Sequence, residues 1–320
     1  MKYRTMAGTD LRVSKLCLGT VKYGTDMSEE DAARQLDRFC AADGNFIDTA
    51  HVYGDWEPGE RAASEHIIGR WLKKSGLRGR VILSTKGGHP DFADMSVSRV
   101  TPECVRQDLD ESLAALGTDC VDLYFLHRDN ETRPAAEILG VLEDARRAGK
   151  LRWYGCSNWS LPRIREAAAA AKENGFAGFV CNQVMWSLAD INLAGVTDKT
   201  LDVMDRETYD YHCGTGMAAM AFTSLAHGYL SKRLTGRRVN ESDAVRYDNP
   251  RNDALLEIIR ASGVPAGELS LAYLMEQPFT AYPIATFRTD EQMAEGLRAC
   301  ERELSPELMA RIAAVKHHAE

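Results

Sequence analysis

Residues 81–86 read V-I-L-S-T-K, residues 101–117 read T-P-E-C-V-R-Q-D-L-D-E-S-L-A-A-L-G, and residues 120–127 read C-V-D-L-Y-F-L-H. The first and last of these segments are short apolar runs of the kind that form buried β-strands. The middle segment has the pattern of an amphipathic helix, with Thr101 as its N-cap, Pro102 in its first turn and Gly117 after its last residue. The three segments together predict two parallel strands joined by a helix that crosses back outside the sheet.

The same alternation extends in both directions along the chain. Short apolar runs predict eight strands, near residues 16–18, 46–48, 81–85, 120–126, 152–156, 178–182, 217–222 and 281–284. Amphipathic patterns predict helices at residues 28–42, 60–74, 102–116, 134–148, 161–173 and 290–300. A hairpin that turns at Gly8-Thr9-Asp10 precedes the first strand, and a last helix is predicted at residues 306–316. This order predicts an α/β fold, a (β/α)8 TIM barrel with an N-terminal β-hairpin and a C-terminal helix, in a single domain of residues 1–320.

The segment from residue 223 to residue 249 departs from this rhythm. It is polar and charged, and it is too long for an ordinary strand-to-helix loop. Its length after the seventh barrel strand predicts an irregular lid or binding loop.

Composition narrows the classes of function. The formal net charge of −8 opposes attraction to polyanions, so nucleic acid is not an expected partner. The eight cysteines form no C-x-x-C pair, which predicts neither a zinc site nor a disulfide framework, and we expect no metal. The chain begins without an apolar signal segment and has no run long enough to span a membrane, so we expect a cytoplasmic protein with no membrane partner.

Four polar residues fall at the carboxyl ends of three successive predicted strands. Asp48 ends the segment N-F-I-D, Tyr53 follows five residues later, Lys86 ends V-I-L-S-T-K, and His127 ends V-D-L-Y-F-L-H. In a parallel barrel the carboxyl ends of the strands form one mouth, where barrel enzymes carry their catalytic residues. We therefore expect these four side chains to meet in one cleft.

The side chains of this tetrad suit the reduction of a carbonyl group. Reduction needs a hydride on the carbon and a proton on the developing alkoxide. Tyr53 is the predicted proton donor, and a neighbouring Lys86 ammonium is expected to lower its pKa from about 10. Asp48 is expected to keep Lys86 charged and oriented, and His127 to donate to the substrate carbonyl oxygen.

The segments around the tetrad resemble the aldo-keto reductase family. They are G-N-F-I-D-T-A-H-V-Y-G (residues 44–54), S-T-K-G-G (84–88) and D-L-Y-F-L-H-R-D (122–129). The resemblance continues through A-G-K-L-R-W-Y-G-C-S-N-W (148–159), N-Q-V-M-W-S-L (182–188), A-F-T-S-L-A-H-G-Y-L-S-K (221–232) and R-T-D-E-Q-M-A-E-G (288–296). It implies the same four catalytic roles and an NADP(H) cofactor, with NAD(H) left open.

The resemblance also implies a set of cofactor contacts. For the nicotinamide these are the carboxamide partners Ser157, Asn158 and Gln183 and the stacking ring of Phe222. For the pyrophosphate they are Leu225, Gly228, Leu230, Ser231 and Lys232. For the adenosine 2′-phosphate end they are Arg288, Gln292 and Glu295. The chain departs from the family pattern at Thr286, where glycine is frequent, and at Gly296, where asparagine is usual.

The substrate pocket is expected among residues near the predicted mouth. These are Trp56, His89, Arg128 and Trp186, with Asp129 beside them. Aromatic faces mixed with hydrogen-bonding groups suit a sugar-like carbonyl, although small aldehydes, ketones, keto-sugars and alcohol oxidation all remain open. Two other functions also remain open, a nicotinamide-binding regulatory or sensor subunit and a non-redox sugar lyase or epimerase that retains the cofactor. The sequence makes no prediction of the oligomeric state.

Overall fold

The computed structural model describes residues 1–316 of the chain. Strands β1 (Tyr3–Thr5) and β2 (Arg12–Ser14) form the predicted antiparallel hairpin. Eight further strands are all parallel and close into a barrel in the order β10-β3-β4-β5-β6-β7-β8-β9. They are β3 (Cys17–Gly19), β4 (Phe46–Asp48), β5 (Ile82–Gly87), β6 (Val121–Leu126), β7 (Leu151–Ser157), β8 (Cys181–Met185), β9 (Ala218–Phe222) and β10 (Ala281–Ala285). The predicted TIM barrel is confirmed.

Twelve α-helices occur within residues 1–316, most of them on the outside of the barrel between successive strands. They are α1 (Glu29–Ala41), α2 (Ala63–Ser75), α3 (Pro102–Leu116), α4 (Ala135–Arg147), α5 (Leu161–Asn174), α6 (Arg206–Thr215), α7 (Tyr229–Thr235), α8 (Glu241–Tyr247), α9 (Pro250–Ser262), α10 (Ala266–Met275), α11 (Asp290–Glu301) and α12 (Pro306–Ala313). The predicted C-terminal helix is present but ends three residues early. No helix of this described part of the chain has both the length and the apolar character needed to cross a membrane.

Two sequence predictions need correction. The sixth barrel strand lies at Cys181–Met185, three residues later than predicted, because Gly178 has a left-handed backbone (φ 76°) that cannot extend a strand. The segment at 223–249 is not irregular, since it contains α7 and α8. The sequence patterns also missed α6, α9 and α10; all ten residues of α10 are buried, so no polar face marks its period.

The hairpin closes the amino-terminal end of the barrel. Its apolar side chains Met6, Leu11 and Val13 are fully buried and belong to the same core cluster as the barrel residues Phe46 and Phe125. With that end sealed by packed side chains, the opposite end, where the strands finish, is the place for a site.

Candidate active site

The carboxyl ends of β4, β5 and β6 bring the predicted tetrad together. Asp48 is the last residue of β4, Lys86 is the fifth residue of β5, and His127 directly follows β6. The parallel register fixes their heights, because Asp48 pairs with Ser84 and the His127 backbone N–H donates to the Gly87 carbonyl at 2.8 Å. Tyr53 lies in the loop that follows β4.

Lys86 is the centre of the hydrogen-bond network. Its fully buried ammonium donates to Asp48 Oδ2 at 2.6 Å, to the Thr49 carbonyl at 2.6 Å and to the Tyr53 hydroxyl oxygen at 3.1 Å. Burial alone would lower the pKa of Lys86, but the charge of Asp48 and the interactions with the Tyr53 oxygen outweigh burial and hold this pKa above its usual value. The lysine is therefore a fixed cation with all three donors in use.

Asp48 is buried and accepts from more than one donor. Besides Lys86, Ser84 Oγ donates to its Oδ1 at 2.5 Å and Gln183 Nε2 donates to the same oxygen at 3.1 Å. The structure thus links Gln183, assigned to the cofactor from the sequence, directly to the tetrad.

The pKa of Tyr53 differs in direction from the sequence expectation. Burial is the largest effect and raises this pKa, while the Lys86 charge lowers it, and the net pKa lies above the usual value for tyrosine. The predicted effect of Lys86 has the expected sign, but it is smaller than the cost of burying a tyrosinate. Tyr53 therefore stays protonated at neutral pH, as a proton donor requires.

His127 is held in its neutral form. Burial lowers its pKa well below the usual range, and the charges of Arg128, His89 and Lys86 lower it further. Its buried Nδ1 has no hydrogen-bond partner among residues 1–316. A neutral imidazole can donate one N–H to an oxygen without placing a second full cation beside Lys86.

The loop that carries Tyr53 is anchored by His51, a residue that the sequence analysis did not single out. Its backbone N–H donates to the Lys86 carbonyl at 2.9 Å, and its Nε2 lies 2.8 Å from Glu111 Oε2 on α3. The one feature of the sequence that could have indicated His51 is its position between Asp48 and Tyr53.

His51 also belongs to the one group of metal-type donors detected within residues 1–316. Donor atoms of His51, Asp108 and Glu111 lie within 4.8 Å of one another. These groups already have protein partners, because Asp108 forms an ion pair with Arg99 and accepts from the Gly88 N–H at 2.8 Å, while Glu111 contacts His51. An ion-pair network accounts for this cluster, and we assign it no metal.

The predicted nicotinamide contacts lie on the next three strands, with Gln183 in the middle of β8 and the others at or just beyond the ends of β7 and β9. Ser157 is the last residue of β7, Asn158 follows it with a left-handed backbone (φ 60°), and the partly exposed Phe222 ends β9. Asn158 Nδ2 donates to the His127 carbonyl at 3.1 Å, and its Oδ1 accepts from the Asp202 N–H at 3.2 Å. Asn158 therefore contacts the backbone of the tetrad residue His127.

The predicted pyrophosphate residues lie in a strained loop and the helix after it. Thr223, Ala226 and His227 have left-handed backbones, which is uncommon for residues other than glycine and is typical of ligand-binding loops. His227 Nδ1 lies 2.6 Å from Asp243 Oδ1 on α8, and Lys232 Nζ lies 3.5 Å from Oδ2 of the same carboxylate.

The other members of this predicted set differ in exposure. Leu230 is buried, whereas Leu225, Gly228, Ser231 and Lys232 are partly exposed.

Of the residues predicted for the adenosine end, Arg288 lines a surface cavity of about 490 Å³ between the β3–α1 loop, α1 and the start of α11, and Gln292 and Glu295 do not. Arg288 is two-thirds exposed there, and its Nη2 lies 3.4 Å from Asp26 Oδ2. The Arg288 backbone N–H donates to Gln292 Oε1 at 2.7 Å. Glu295 instead turns its carboxylate toward the N–H of Glu268 in α10, at 3.1 Å.

The two departures from the family pattern have a structural explanation. A side chain at Gly296 would place its Cβ 2.5 Å from the buried Phe287 ring, so an asparagine there would require that ring to move. Thr286 Oγ1 donates to the Gly19 carbonyl at 3.0 Å and fills the space beside that glycine.

The predicted substrate residues divide into two groups. Trp56 and His89 contact the tetrad, with ring centroids 6.3 Å from Tyr53 and 4.9 Å from His127 respectively. Trp186 is buried and stacks on Phe279 instead.

The charged members of the set also have protein partners. Arg128 is buried and donates to Thr200 Oγ1 at 2.8 Å, to the His127 carbonyl at 2.9 Å and to Asp198 at 3.3 Å. Asp129 forms an ion pair with Arg163 at 2.8 Å. The two charged side chains expected from the sequence to line the substrate pocket are therefore paired with other groups of the protein.

Comparison with known proteins agrees with this arrangement. The model of the aldo/keto reductase family matches residues 15–317. The uncharacterized oxidoreductase YrpG of Bacillus subtilis is 30% identical over 97% of this chain and 94% of its own length. Protein tas of Escherichia coli is 28% identical over 98% of this chain and 97% of its own. The NADP(+) aldo-keto reductase yakc of Schizosaccharomyces pombe is 27% identical over 90% of this chain and 83% of its own.

Proposed function

This chain belongs to the aldo/keto reductase family, and from that premise we propose that it is an NADP(H)-dependent oxidoreductase that reduces an aldehyde or ketone to an alcohol. The observation that carries the proposal is the Asp48–Lys86–Tyr53 network, joined at 2.6 Å and 3.1 Å at the mouth of the barrel. The bound cofactor supplies the hydride.

The tetrad supplies the proton and stabilises the charge. The substrate carbonyl oxygen accepts hydrogen bonds from the Tyr53 hydroxyl and a neutral His127 N–H, so both donors act where negative charge develops. As the carbonyl carbon is reduced, the Tyr53 proton passes to this oxygen and completes the alcohol. Lys86 stabilises the tyrosinate that is left, and Asp48 keeps the ammonium of Lys86 aimed at it.

The residues present fit a phosphorylated nicotinamide dinucleotide. Side-chain amides of Asn158 and Gln183 at the mouth suit the carboxamide, and the strained loop with Lys232 suits the pyrophosphate. The exposed Arg288 suits a 2′-phosphate, since a guanidinium can form paired hydrogen bonds with it. The yakc relative, which is named for NADP(+), supports the same choice.

We also propose that residues 1–320 form one catalytic domain, of which the last four residues lie outside the described part of the chain. The cytoplasmic location inferred from the sequence stays a prediction.

Steady-state consumption of NADPH with a panel of small carbonyls, together with product analysis, tests this function. We expect one alcohol for each NADPH consumed. A sensor subunit would bind NADPH without consuming it, and a lyase or epimerase would form product with no net loss of NADPH; either result would refute the proposal.

A further inference from the structure

Glu65 is a buried carboxyl group on the helix that follows the Tyr53 loop. It is the third residue of α2, and its side chain has no exposed surface. Its Oε1 accepts a hydrogen bond from Thr85 Oγ1, and Thr85 immediately precedes Lys86 on β5. Because successive side chains of a strand point to opposite faces, Thr85 faces α2 while Lys86 faces the inside of the barrel. The hydrogen bond between Glu65 and Thr85 therefore joins the start of α2 to the strand position beside Lys86.

The residue before Glu65 binds the loop that carries Tyr53. The Ser64 backbone N–H donates to the Tyr53 carbonyl at 3.2 Å, and Ser64 Oγ lies 2.9 Å from Thr49 Oγ1. The Thr49 carbonyl in turn accepts from the Lys86 ammonium at 2.6 Å. The first turn of α2 thus contacts the Tyr53 loop through one residue and β5 through the next.

The loop after β4 and the start of α2 are in close contact. Gly54 has a positive φ of 107°, and a Cβ at this position would lie 2.7 Å from the Ala63 Cβ. The amino-terminal end of α2 has no side-chain cap, because Ala62 stands at the N-cap with a left-handed backbone (φ 51°). The hydrogen bonds of Ser64 and Glu65 therefore help to hold this end of the helix, and the loop packed on it, in place.

The Glu65 position favours a neutral acceptor over a charged one. Burial raises the pKa of Glu65 to about 7. The effects that lower this pKa are smaller and come from Thr85, His51, Ser112 and Lys86. The second oxygen of Glu65, Oε2, is buried and has no hydrogen-bond partner within residues 1–316. Because a carboxylate with an unpaired oxygen is costly to bury, an uncharged group that accepts from Thr85 suits this position.

We propose that Glu65 is a positioning residue for the proton donor. The hydrogen bond that Glu65 accepts from Thr85 sets the separation of the Tyr53 hydroxyl and the Lys86 ammonium, which lie 3.1 Å apart. This inference rests on the proposed function and adds a residue outside the tetrad to it. Loss of the hydrogen bond lets the start of α2 and the Tyr53 loop move away from β5, and a misplacement of about 1 Å can lower a rate about 10²-fold.

Two substitutions remove this hydrogen bond from opposite sides. Glu65→Leu removes the acceptor, and Thr85→Val removes the donor at nearly the same volume. Each should lower kcat by about 10- to 100-fold with little change in KM or in the Kd of NADPH, because the proton transfer depends on the Tyr53 position and cofactor binding does not. The alkaline limb of the pH profile of kcat/KM should move to higher pH, since a more distant ammonium lowers the Tyr53 pKa less. The double variant should lose no more activity than either single variant.

Conservative variants separate the position of Glu65 from its charge. Glu65→Gln keeps an acceptor and Thr85→Ser keeps a donor, so each should recover most of the kcat and the alkaline limb that the Leu and Val variants lose. If Glu65 acted through its negative charge, Gln and Leu would behave alike and the limb would move to lower pH in both, because a nearby carboxylate raises the pKa of a tyrosine. Glu143→Leu, at a buried glutamate on α4 that accepts from Tyr154, should leave kcat and the limb unchanged.

The same assays separate this inference from the function on which it rests. If the wild type reduces a carbonyl with NADPH but folded Glu65→Leu and Thr85→Val keep its kcat, or if Glu65→Gln loses as much as Glu65→Leu, the positioning role is refuted and the reductase remains. If the wild type consumes no NADPH with any carbonyl, the proposed function fails and the inference fails with it. Circular dichroism melting curves show which variants are folded, and Thr85→Val carries the test if Glu65→Leu does not fold.

Discussion

Replacing Lys86 with methionine separates two effects of one buried charge. Lys86 and Asp48 form an ion pair at 2.6 Å in which both side chains are 1% exposed or less. Methionine keeps most of the volume but leaves the Asp48 carboxylate with only Ser84 and Gln183 as donors. Breaking a buried pair on one side typically costs 3–5 kcal/mol, so we expect the free energy of unfolding to fall by about that amount.

The same substitution removes the group that opposes the burial of Tyr53. Because Lys86 lowers the Tyr53 pKa and burial raises it, loss of the ammonium should raise this pKa further. The alkaline limb of the pH profile of kcat/KM should then move to higher pH while turnover falls. The measurements are urea unfolding and pH–rate profiles of the wild type and of the Lys86→Met variant.

A double variant controls for the Asp48 carboxylate that Lys86→Met leaves without an ion-pair partner. Asp48→Asn combined with Lys86→Met has no unpaired buried charge, so it should recover part of the stability without recovering turnover. If a folded, cofactor-binding Lys86→Met protein kept the alkaline limb of the wild type, the coupling of Lys86 to Tyr53 would be wrong, whatever its rate.

Four further predictions concern the proton donor, the two residues at the adenosine end of the cofactor site and a buried carboxyl group. Tyr53→Phe should lower kcat by about 10²–10⁴-fold, the usual contribution of general acid catalysis, with little change in the Kd of NADPH; more than about a tenth of the wild-type rate would remove Tyr53 from this role. Arg288→Ala should weaken NADPH binding by roughly five- to tenfold and should barely affect NADH binding; the effect is modest because the side chain is largely exposed and exposed ion pairs are screened by solvent. Equal losses of affinity for the two cofactors would show that Arg288 does not bind the 2′-phosphate. Because Asp26 competes for that guanidinium, Asp26→Asn should tighten NADPH by about two- to fivefold, and weaker binding at constant ionic strength would contradict this. Burial raises the pKa of Glu65 from 4.5 to about 7. Between about pH 4.5 and pH 7 the carboxyl group therefore ionises in the unfolded chain but not in the folded one, and the free energy of unfolding falls as the pH rises through this range. In urea unfolding, the free energy of unfolding of Glu65→Gln relative to that of the wild type should therefore increase by roughly 2–3 kcal/mol from about pH 5 to pH 8. Glu257→Gln, at an exposed position on α9, should show no such increase.

Much of the fold could be predicted because its signals are local. The span from Thr101 to Gly117 carries an N-cap, an early proline and a glycine after the last turn, and α3 has these bounds in the structure. The shift of β8 could not be predicted, because an apolar run around Gly178 looks the same whether its glycine is extended or left-handed. The helices α7 and α8 inside residues 223–249 could not be predicted, because each has only seven residues and lies among polar residues.

The candidate site was predictable in position but less so in energetics. The spacing of Asp48, Lys86 and His127 relative to their strands was enough to place them at one mouth. The sequence could not weigh the burial of Tyr53 against the Lys86 charge, since this balance depends on how tightly the loop packs. Nor could it show that Arg128 would find partners inside the protein, because Asp198 and Thr200 lie about seventy residues away in the chain.

The proposed reaction transfers a hydride from NADPH to a carbonyl carbon. A single-turnover reaction with NADPH that carries deuterium in both positions at C4 of the nicotinamide tests it most directly, with mass spectrometry of the product. We expect an alcohol with one deuterium on the former carbonyl carbon and a cofactor that has lost one. An altered product without deuterium, formed while the cofactor keeps both labels, would contradict it.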